Sequence, residues 1–536
     1  MTGAATDEAG ALGLRFWYDT FEGVRELFAE GHGSEGGPDD PLPSKTYRGL
    51  PRHVLAAPPR RIGDARWSFP GFRDRHPEGP PRRPWDGSTL SALLHHTYGL
   101  GRMELGPQAA WPYHRLVASA RCFYPVELYV WLGGGTGGVP AGCYHYDPLH
   151  HALTALRPGG IPAELRAAVA CKGRDTTALL LLSAYFRKTA FRYRDYAYRL
   201  CAQESGMVVG NALLVAGALG LDARVHHRFL DEPVNRALGL DGTEETAFAV
   251  LEIGARDGVA ASPAPDRLPS PVPDRLPSLV TEHVRTCRED AGLWSRLTTL
   301  DAGSRLTGKA RFAPVAADPF HQPADGPAEP FADDDRPPGS VELGDALRRR
   351  DSGGRMFLPD RAALPQQQLA DLLRYALDPV PSDHGDTPLR PLLDCHVLAL
   401  NTAGRAAGLY RLDPSPALVP VPGRDGRPTV AMLCDRTPSV NTARANAVVF
   451  LTVDRYEGAR GFGDRGYRIL HHEGGIVAQR LSVLAAAEGL SARITNGYDD
   501  RVVRELLGSG DAHVPIFAIV LGRRQATSQY EPPLDW

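Results

Sequence analysis

Residues 195–239 lie over residues 464–508 with a constant shift of 269 and no gap, and sixteen positions are identical. Among them are Asp195/Asp464, Tyr198/Tyr467, Arg199/Arg468, Glu204/Glu473, Gly206/Gly475, Gly220/Gly489, Leu221/Leu490 and Gly239/Gly508. A second match, shifted by 266, sets Gly142-Cys-Tyr-His-Tyr-Asp-Pro148 on Gly408-Leu-Tyr-Arg-Leu-Asp-Pro414. The matches keep the same order in both halves, so the chain holds two copies of one fold. Two such copies read as a fused dimer. A site at a dimer interface can then survive at one end of that interface and decay at the other.

Composition narrows the function classes. A length of 536 residues accommodates two copies of a domain plus extensions. The formal net charge of −3 argues against nucleic acid as a partner of the chain as a whole. Seven cysteines (Cys122, Cys143, Cys171, Cys201, Cys287, Cys395, Cys434) form no CxxC pair, against both a disulfide framework and a structural zinc site, and no metal is expected. No basic-then-apolar leader opens the sequence, and no apolar run reaches the roughly 18 residues of a membrane span, so we expect a cytoplasmic protein with no membrane partner.

The expected organisation is an N-terminal extension (1–60), copy one (61–256), a Pro-rich connector (257–340) and copy two (341–536). The connector repeats PDRLPSPVPDRLPS and cannot build a core, though one helix is expected within 281–299. STLSALLHH (88–96) and LADLLRY (369–375) share an amphipathic helical pattern. Strands are expected at PVELYVWLG, AFAVLEIG, VVFLTVD and PIFAIVLG, and a hairpin turns at Asp147-Pro148. GMVVGNALLVAGALGL (206–221) reads as a buried helix ended by Gly220, whereas TTALLLLSAYF (176–186) fits strand or helix. The fold class is α+β: two mixed sheets covered by helices, packed as an intramolecular pseudo-dimer.

Copy two opens with ALRRRDSGGRMF, which places Arg349, Arg350, Ser352 and Arg355 in the first turns of a helix-rich segment. Arginine forks and a hydroxyl suit a phosphate; a solvated basic helix end is the plainer reading of such a cluster. No GxGxxG follows a strand and no Walker sequence exists, against a Rossmann or P-loop site.

Ser119-Ala120 ahead of Tyr124-Pro125-Val126-Glu127-Leu128, the GCYHYDP run, Arg192-Tyr193-Arg194-Asp195 and Glu204-Ser205-Gly206 with Asn211 carry a resemblance over most of residues 82–256 and 343–524. Together they resemble the nitroreductase-like FMN oxidoreductases, and more narrowly the streptolysin-type (SagB-type) azoline dehydrogenases, which oxidise thiazolines and oxazolines in ribosomal peptide natural products. The resemblance implies FMN at the interface of the two copies. One copy would supply an Arg-x-Ser phosphate grip and a Glu-Gly segment near the flavin ring, the other a Ser-Ala loop. Copy two retains Arg350-Asp351-Ser352 and Glu473-Gly474-Gly475, with Arg523 and Arg524 as further phosphate candidates. Copy one retains Ser119, Ala120, Arg121 and Cys122, where the family has Gly in place of Arg121, and has only Arg82-Arg83-Pro84 in place of the grip. One intact composite site and one decayed site follow.

The family's catalytic Lys-Tyr pair falls on Arg192-Tyr193. Arginine stays protonated and is a poor base, which leaves Tyr193 as acid–base candidate or as a packed aromatic. The partners implied are an azoline-containing precursor peptide and a cyclodehydratase, for a protein that is a monomeric pseudo-dimer or a homodimer. An NAD(P)H-dependent reductase of the same fold, or a non-catalytic peptide-binding scaffold, remain alternatives. His145, His150 and His151 read as surface residues of the hairpin, and His471-His472-Glu473 point in different directions on a helix, against a shared metal.

Overall fold

The computed structural model describes residues 10–29, 40–81, 83–106, 112–171, 176–254, 279, 281–284, 294–308, 329–330, 340–354, 357–383, 393–413, 417–423, 440–525 and 532–534. The strands of the first half are β1 (Arg52–Val54), β2 (Leu100–Met103), β3 (Tyr113–Arg115), β4 (Val126–Leu132), β5 (Gly142–Asp147), β6 (Ala152–Pro158), β7 (Thr176–Tyr185), β8 (Asp222–His226) and β9 (Glu245–Gly254). Those of the second are β10 (Glu329–Pro330), β11 (Leu364–Pro365), β12 (Asp394–Ala399), β13 (Thr402–Ala403), β14 (Gly408–Asp413), β15 (Ala417–Pro420), β16 (Ala447–Asp454), β17 (Ser491–Thr495) and β18 (His513–Gly522).

Each half builds a seven-stranded sheet, in the orders β1-β6-β5-β4-β7-β9-β8 and β10-β15-β14-β12-β16-β18-β17. Matched by position, the two orders are one topology. Every described pairing within these sheets is antiparallel, where mixed sheets were expected. The ambiguous run at 176–185 is a strand, buried on both faces, which is why it reads as continuous apolar sequence. Residues 52–54, expected in the extension, form the edge strand of the first sheet, and residues 329–330 of the connector pair with β15. A connector helix spans Ser295–Gly303, beginning within the expected stretch and running past its end; residues 281–284 are not helical and 285–293 lie outside the described residues.

Two long helices, Ala197–Ala218 and Gly466–Ala487, pack against each other between the sheets. Small and apolar side chains surround both, and left-handed glycines follow them, Gly220 at φ 75° and Gly489 at φ 73°. Gly206 and Gly475 mark the crossing. A Cβ on Gly206 would collide with the His472 carbonyl, and one on Gly475 with the Gln203 carbonyl. These glycines differ by the repeat shift of 269, so the helices cross on the pseudo-twofold axis.

Two buried arginines confirm that axis. Arg199 donates to the Ile516 carbonyl at 3.4 Å, and its counterpart Arg468 donates to the Ala247 carbonyl at 3.3 Å. Each thus reaches the equivalent residue of the opposite sheet. One hydrophobic cluster runs through both halves, joining Leu90, Leu93 and Val208 to Leu373, Ile476 and Leu481. Among the described residues no helix is long and apolar enough to cross a membrane.

Candidate active site

The pseudo-twofold axis creates two equivalent positions, each where the edge strand of one sheet meets the other half's helix and loops. They differ in what fills them.

At the first position, copy two contributes the helix Leu343–Arg349, the loop 350–354 and β17. The Arg-x-Ser segment therefore sits at the C-terminal end of its helix rather than in the first turns, so no helix N-terminal dipole serves it. Arg350 is buried; its Nε donates to the Leu116 carbonyl at 3.2 Å and its Nη2 to the Arg115 carbonyl at 3.5 Å, both on copy one. Its Nη1 has no hydrogen-bond partner among the described residues. Burial, with Arg102 nearby, lowers its pKa to about 10. Arg493 on β17 donates to the Ser352 carbonyl at 2.6 Å and to the Gly354 carbonyl. Arg524 lies 3.9 Å from Asp351.

Copy one contributes the β2–β3 hairpin, the loop 119–124 and the helix Ala197–Ala218. Arg102 on β2 donates to the Arg350 carbonyl at 2.7 Å. Arg115, at the end of β3, is buried with its guanidinium 4.3 Å from the Tyr98 ring centre and 4.7 Å from that of Tyr124; its Nη1 also lacks a partner. In the loop, Arg121, Cys122 and Tyr124 have positive φ (52°, 59° and 49°). Three non-glycine residues in that region represent stored backbone strain, of the kind that clusters at ligand sites. The Ser119 hydroxyl accepts the Tyr124 N–H at 3.0 Å and so pins the loop. Cys122 Sγ lies 3.5 Å from His114 Nδ1, and burial raises its pKa while Arg102 and Arg350 oppose the rise.

Glu204 closes the position from below. It is buried, accepts from the Tyr98 hydroxyl at 2.7 Å and has Ser119 beside it. Desolvation dominates, and its pKa is pushed up to about 7. Arg102, Arg115, Arg350, Arg493 and Arg524 thus gather around few carboxylates: Asp351 beside Arg524, Glu127 acting on Arg115, and Glu204, which is protonated below neutrality. Two of these cations are buried with an idle N–H aimed at no protein acceptor. Such an arrangement suits a polyanionic group with several acceptor oxygens.

The second position is closed from within. Val225 N–H donates to the Pro381 carbonyl at 3.0 Å and pairs with Ser382. Asp383 accepts the backbone N–H groups of His227 and Arg228 at 3.0 and 2.8 Å. His227 Nε2 lies 3.0 Å from Glu473, and His226 Nε2 lies 3.2 Å from Glu252. Val225, His226 and His227 are consequently buried, whereas Ile494, Thr495 and Asn496, their counterparts at the first position, are half-exposed.

The expected site residues separate accordingly. Ser119, Ala120, Arg121 and Cys122 share the first position with Arg350, Ser352 and Arg524. Glu473, Gly474 and Gly475 do not belong there: Glu473 bonds His227 at the closed position, Gly474 packs on Ile516, and Gly475 lies in the helix crossing. Glu204 is the glutamate of the open position. Arg349 and Arg523 are exposed, and Arg355 and Arg82 lie outside the described residues, as does most of the copy-two loop 387–395. Arg192 and Tyr193 end the helix Arg187–Tyr193. The Tyr193 ring lies 6.3 Å from Phe123 of the strained loop and 6.5 Å from Phe28. Arg102, Arg115, Arg493 and Glu204 were not foreseen as site residues; only the duplicated pairs Glu204/Glu473 and Arg224/Arg493 carried a signal for them. Two hairpin histidines are also buried rather than exposed. His145 lies 2.9 Å from Glu127, and His151 bonds Ser91 and Tyr146; only His150 is exposed.

The sequence profile of the nitroreductase family matches residues 88–255 and again residues 347–523. The chain belongs to the nitroreductase family. A solved structure from Anabaena variabilis, described as a nitroreductase, superimposes with a TM-score of 0.70 over 96% of this chain and 99% of its own, at 22% identity. The fold is therefore shared through both halves. Among characterised proteins the chain is similar to the microcin B17-processing protein McbC of Escherichia coli, at 32% identity over 132 residues, 23% of this chain and 47% of that one. It is also similar to the trifolitoxin-processing protein TfxB of Rhizobium leguminosarum bv. trifolii, at 28% identity over 145 residues, 26% of this chain and 39% of that one. The chain thus spans less than half the length of these two relatives. Nitroreductase-family proteins are oxidoreductases that generally bind flavin.

Proposed function

We propose that this protein is an FMN-dependent azoline dehydrogenase that oxidises thiazoline or oxazoline rings of a precursor peptide, with one FMN per chain, and that it works beside a cyclodehydratase. The observation that carries the reading is the buried Arg350, with an unpartnered Nη1, set against the strained Ser119–Tyr124 loop of the other half. The similarity to two peptide-antibiotic processing proteins supports the substrate class.

The residues present fit the cofactor. Arg350 and Arg102, with Ser352, Arg493 and Arg524 around them, would hold its phosphate, and the Ser119–Cys122 loop would lie against it. When bound, FMN supplies a two-electron acceptor for the hydride leaving the azoline C5. The protein's part is to orient the ring, exclude water and take the proton released from the adjacent Cα. Tyr193, acting as its phenolate and leaving the step as the phenol, is the proposed proton acceptor, because it adjoins the loop through Phe123; Arg192, always cationic, would steady the negative charge that develops on the ring. At the closed position Asp383 and Glu473 add negative charge where a phosphate would need cations, so a second FMN is not accommodated.

Anaerobic mixing of the purified protein with a thiazoline-containing peptide tests this. Flavin bleaching with loss of 2 Da per ring is expected, the mass of two hydrogens, and Tyr193→Phe should slow it by about 10²–10⁴-fold with FMN retained. A flavin that ignores azolines but bleaches with reduced nicotinamide assigns the protein to the reductases. Two flavins per chain defeat the composite-site reading.

A further inference from the structure

The short strand β2 has two edges. One pairs with β3, Arg102 opposite His114 and Met103 opposite Tyr113. The other edge is taken by a distant piece of the same chain: Met103 N–H donates to the Pro532 carbonyl at 3.0 Å, and Leu534 N–H donates to the Gly101 carbonyl at 3.1 Å. Arg102 and Pro533 face each other in an antiparallel bridge. Residues 532–534 thus act as a third strand, joined by two backbone hydrogen bonds.

Three observations mark this edge as more than a place to tuck a chain segment. First, its occupant is weakly suited to it. Two of its three residues are prolines, which donate no backbone hydrogen bond, and each of the two bonds formed is worth little net. Second, the edge belongs to the open site. Arg102, between the two bonding residues, reaches the Arg350 carbonyl at 2.7 Å, so any chain paired with β2 runs one side chain away from the cationic cluster. Third, the corresponding segment of copy two is used differently. Aligning Leu90, Leu93 and Leu94 with Leu369, Leu372 and Leu373 sets Met103 on Ser382, and Ser382 is bound against Val225 at the closed position. Among the described residues, the open site keeps a strand edge held by residues 532–534 alone, while its counterpart is locked against Val225. Beside it Leu105 is a large apolar side chain left 47% exposed, which suits a peptide with an apolar residue at that point.

We infer that the Gly101–Met103 edge of β2 is the docking strand for the backbone of the peptide substrate, and that residues 532–534 occupy it in cis as a displaceable stand-in. This rests on the reading that the substrate is a peptide. An extended peptide would accept from Met103 N–H and donate to the Gly101 carbonyl, as the segment does now, gaining affinity from main-chain bonds that carry no sequence preference. Such a mode suits an enzyme that must present successive rings of one chain to one site. The cis segment competes at the high local concentration that a tether confers, so short peptides bind below their intrinsic affinity until it is displaced.

The test compares the FMN-loaded full chain with a chain ending at Gln525 and with Leu534→Pro, which removes one of the two donors. Binding of a fluorescein-labelled heptapeptide with a central thiazoline is read by fluorescence anisotropy, and flavin content by absorbance. Oxidation of a small thiazoline carboxamide without flanking residues serves as a second substrate. We expect the shortened chain to bind the peptide about three- to tenfold more tightly, Leu534→Pro to move the same way by less, and flavin content and small-substrate kinetics to stay unchanged. Unchanged or weaker peptide binding overturns the inference. So does flavin loss on shortening, which would make residues 532–534 a structural strap. Anisotropy with the same heptapeptide carrying cysteine in place of the ring separates the two claims: cis competition without azoline oxidation would leave the docking edge standing and defeat the proposed reaction alone.

Discussion

Glu204 offers the sharpest test of the electrostatics at the open site. Its carboxyl is buried beneath the loop 119–124, and desolvation lifts its pKa from 4.5 to about 7 despite hydrogen bonds from Ser119 and Tyr98 and the nearby Arg115. In the unfolded chain the group ionises near its ordinary value. The folded state therefore holds a proton that the unfolded state has lost, and this favours folding. That contribution is fully present below about pH 4.5 and vanishes as pH rises through about 7. The shift corresponds to about 3 kcal/mol in all, of which about 1.4 kcal/mol should disappear between about pH 6 and about pH 8.5. Glu204→Gln keeps the shape and abolishes the titration. We expect unfolding measured across that range to show a fall in wild-type stability of this order that the variant lacks. A protonated-carboxyl infrared band should also be present in the wild type near pH 6 and missing from the variant. Parallel stability curves for the two proteins would refute the buried, neutral carboxyl. A bound dianion would hold the proton more firmly still, so FMN affinity should decline above pH 7 in the wild type and less in Glu204→Gln.

Arg350→Met, which removes the buried guanidinium but keeps much of its volume, should weaken FMN by about tenfold to a hundredfold, whereas Arg83→Ala, on an exposed residue of copy one, should not; equal flavin titrations would show that the phosphate lies elsewhere. Gly475→Val should prevent the halves from packing, because its Cβ meets the Gln203 carbonyl and the Gly206 Cα, backbone atoms that cannot swing aside; a soluble variant melting like the wild type would refute the tight crossing.

How far sequence alone reaches follows from the length scale of each interaction. The gap-free shift of 269 paired the two long helices and set Gly206 on Gly475, because insertions between the copies fall outside that stretch; that these glycines meet at the helix crossing, and not Gly475 at the flavin, came only from the packing. The complementarity of Arg350 with the Ser119 loop was legible too, since each half had kept a different piece. Which glutamate serves the open position was not. Glu204 and Glu473 are identical residues at equivalent positions, and only the pseudo-twofold packing sends each to its own end of the interface. Arg102 and Arg115 carry no motif, and they join Arg350 only through contacts more than two hundred residues apart. The buried histidines were missed for a like reason: His145 is hydrogen-bonded to Glu127, and His151 to Ser91, sixty residues away. Local hairpin chemistry predicts exposure, and tertiary partners reverse it.

The fusion itself accounts for the asymmetry. In a homodimer every substitution enters both sites, so a change that closes one closes the other. Once the copies share a chain, each end of the axis can change alone. The Gln203–Asn496 amide pair of the open end, bonded at 2.6 Å, has become the His472–His227 pair at the closed end. Glu204, capped by a tyrosine hydroxyl, has as its counterpart Glu473, bound to a histidine. At the closed end Asp383 accepts two backbone N–H groups, and Glu252 and Glu473 each bond one ring nitrogen of a histidine. The open end is the reverse. Its buried arginines Arg115 and Arg350 are costly to desolvate and incompletely bonded, so an anion binding there would supply the missing interactions under the proposed function. The closed end has thus exchanged an amide pair for histidines held by carboxylates, while the open end keeps the positive-φ loop 119–124 and two buried arginines with an unbonded Nη1.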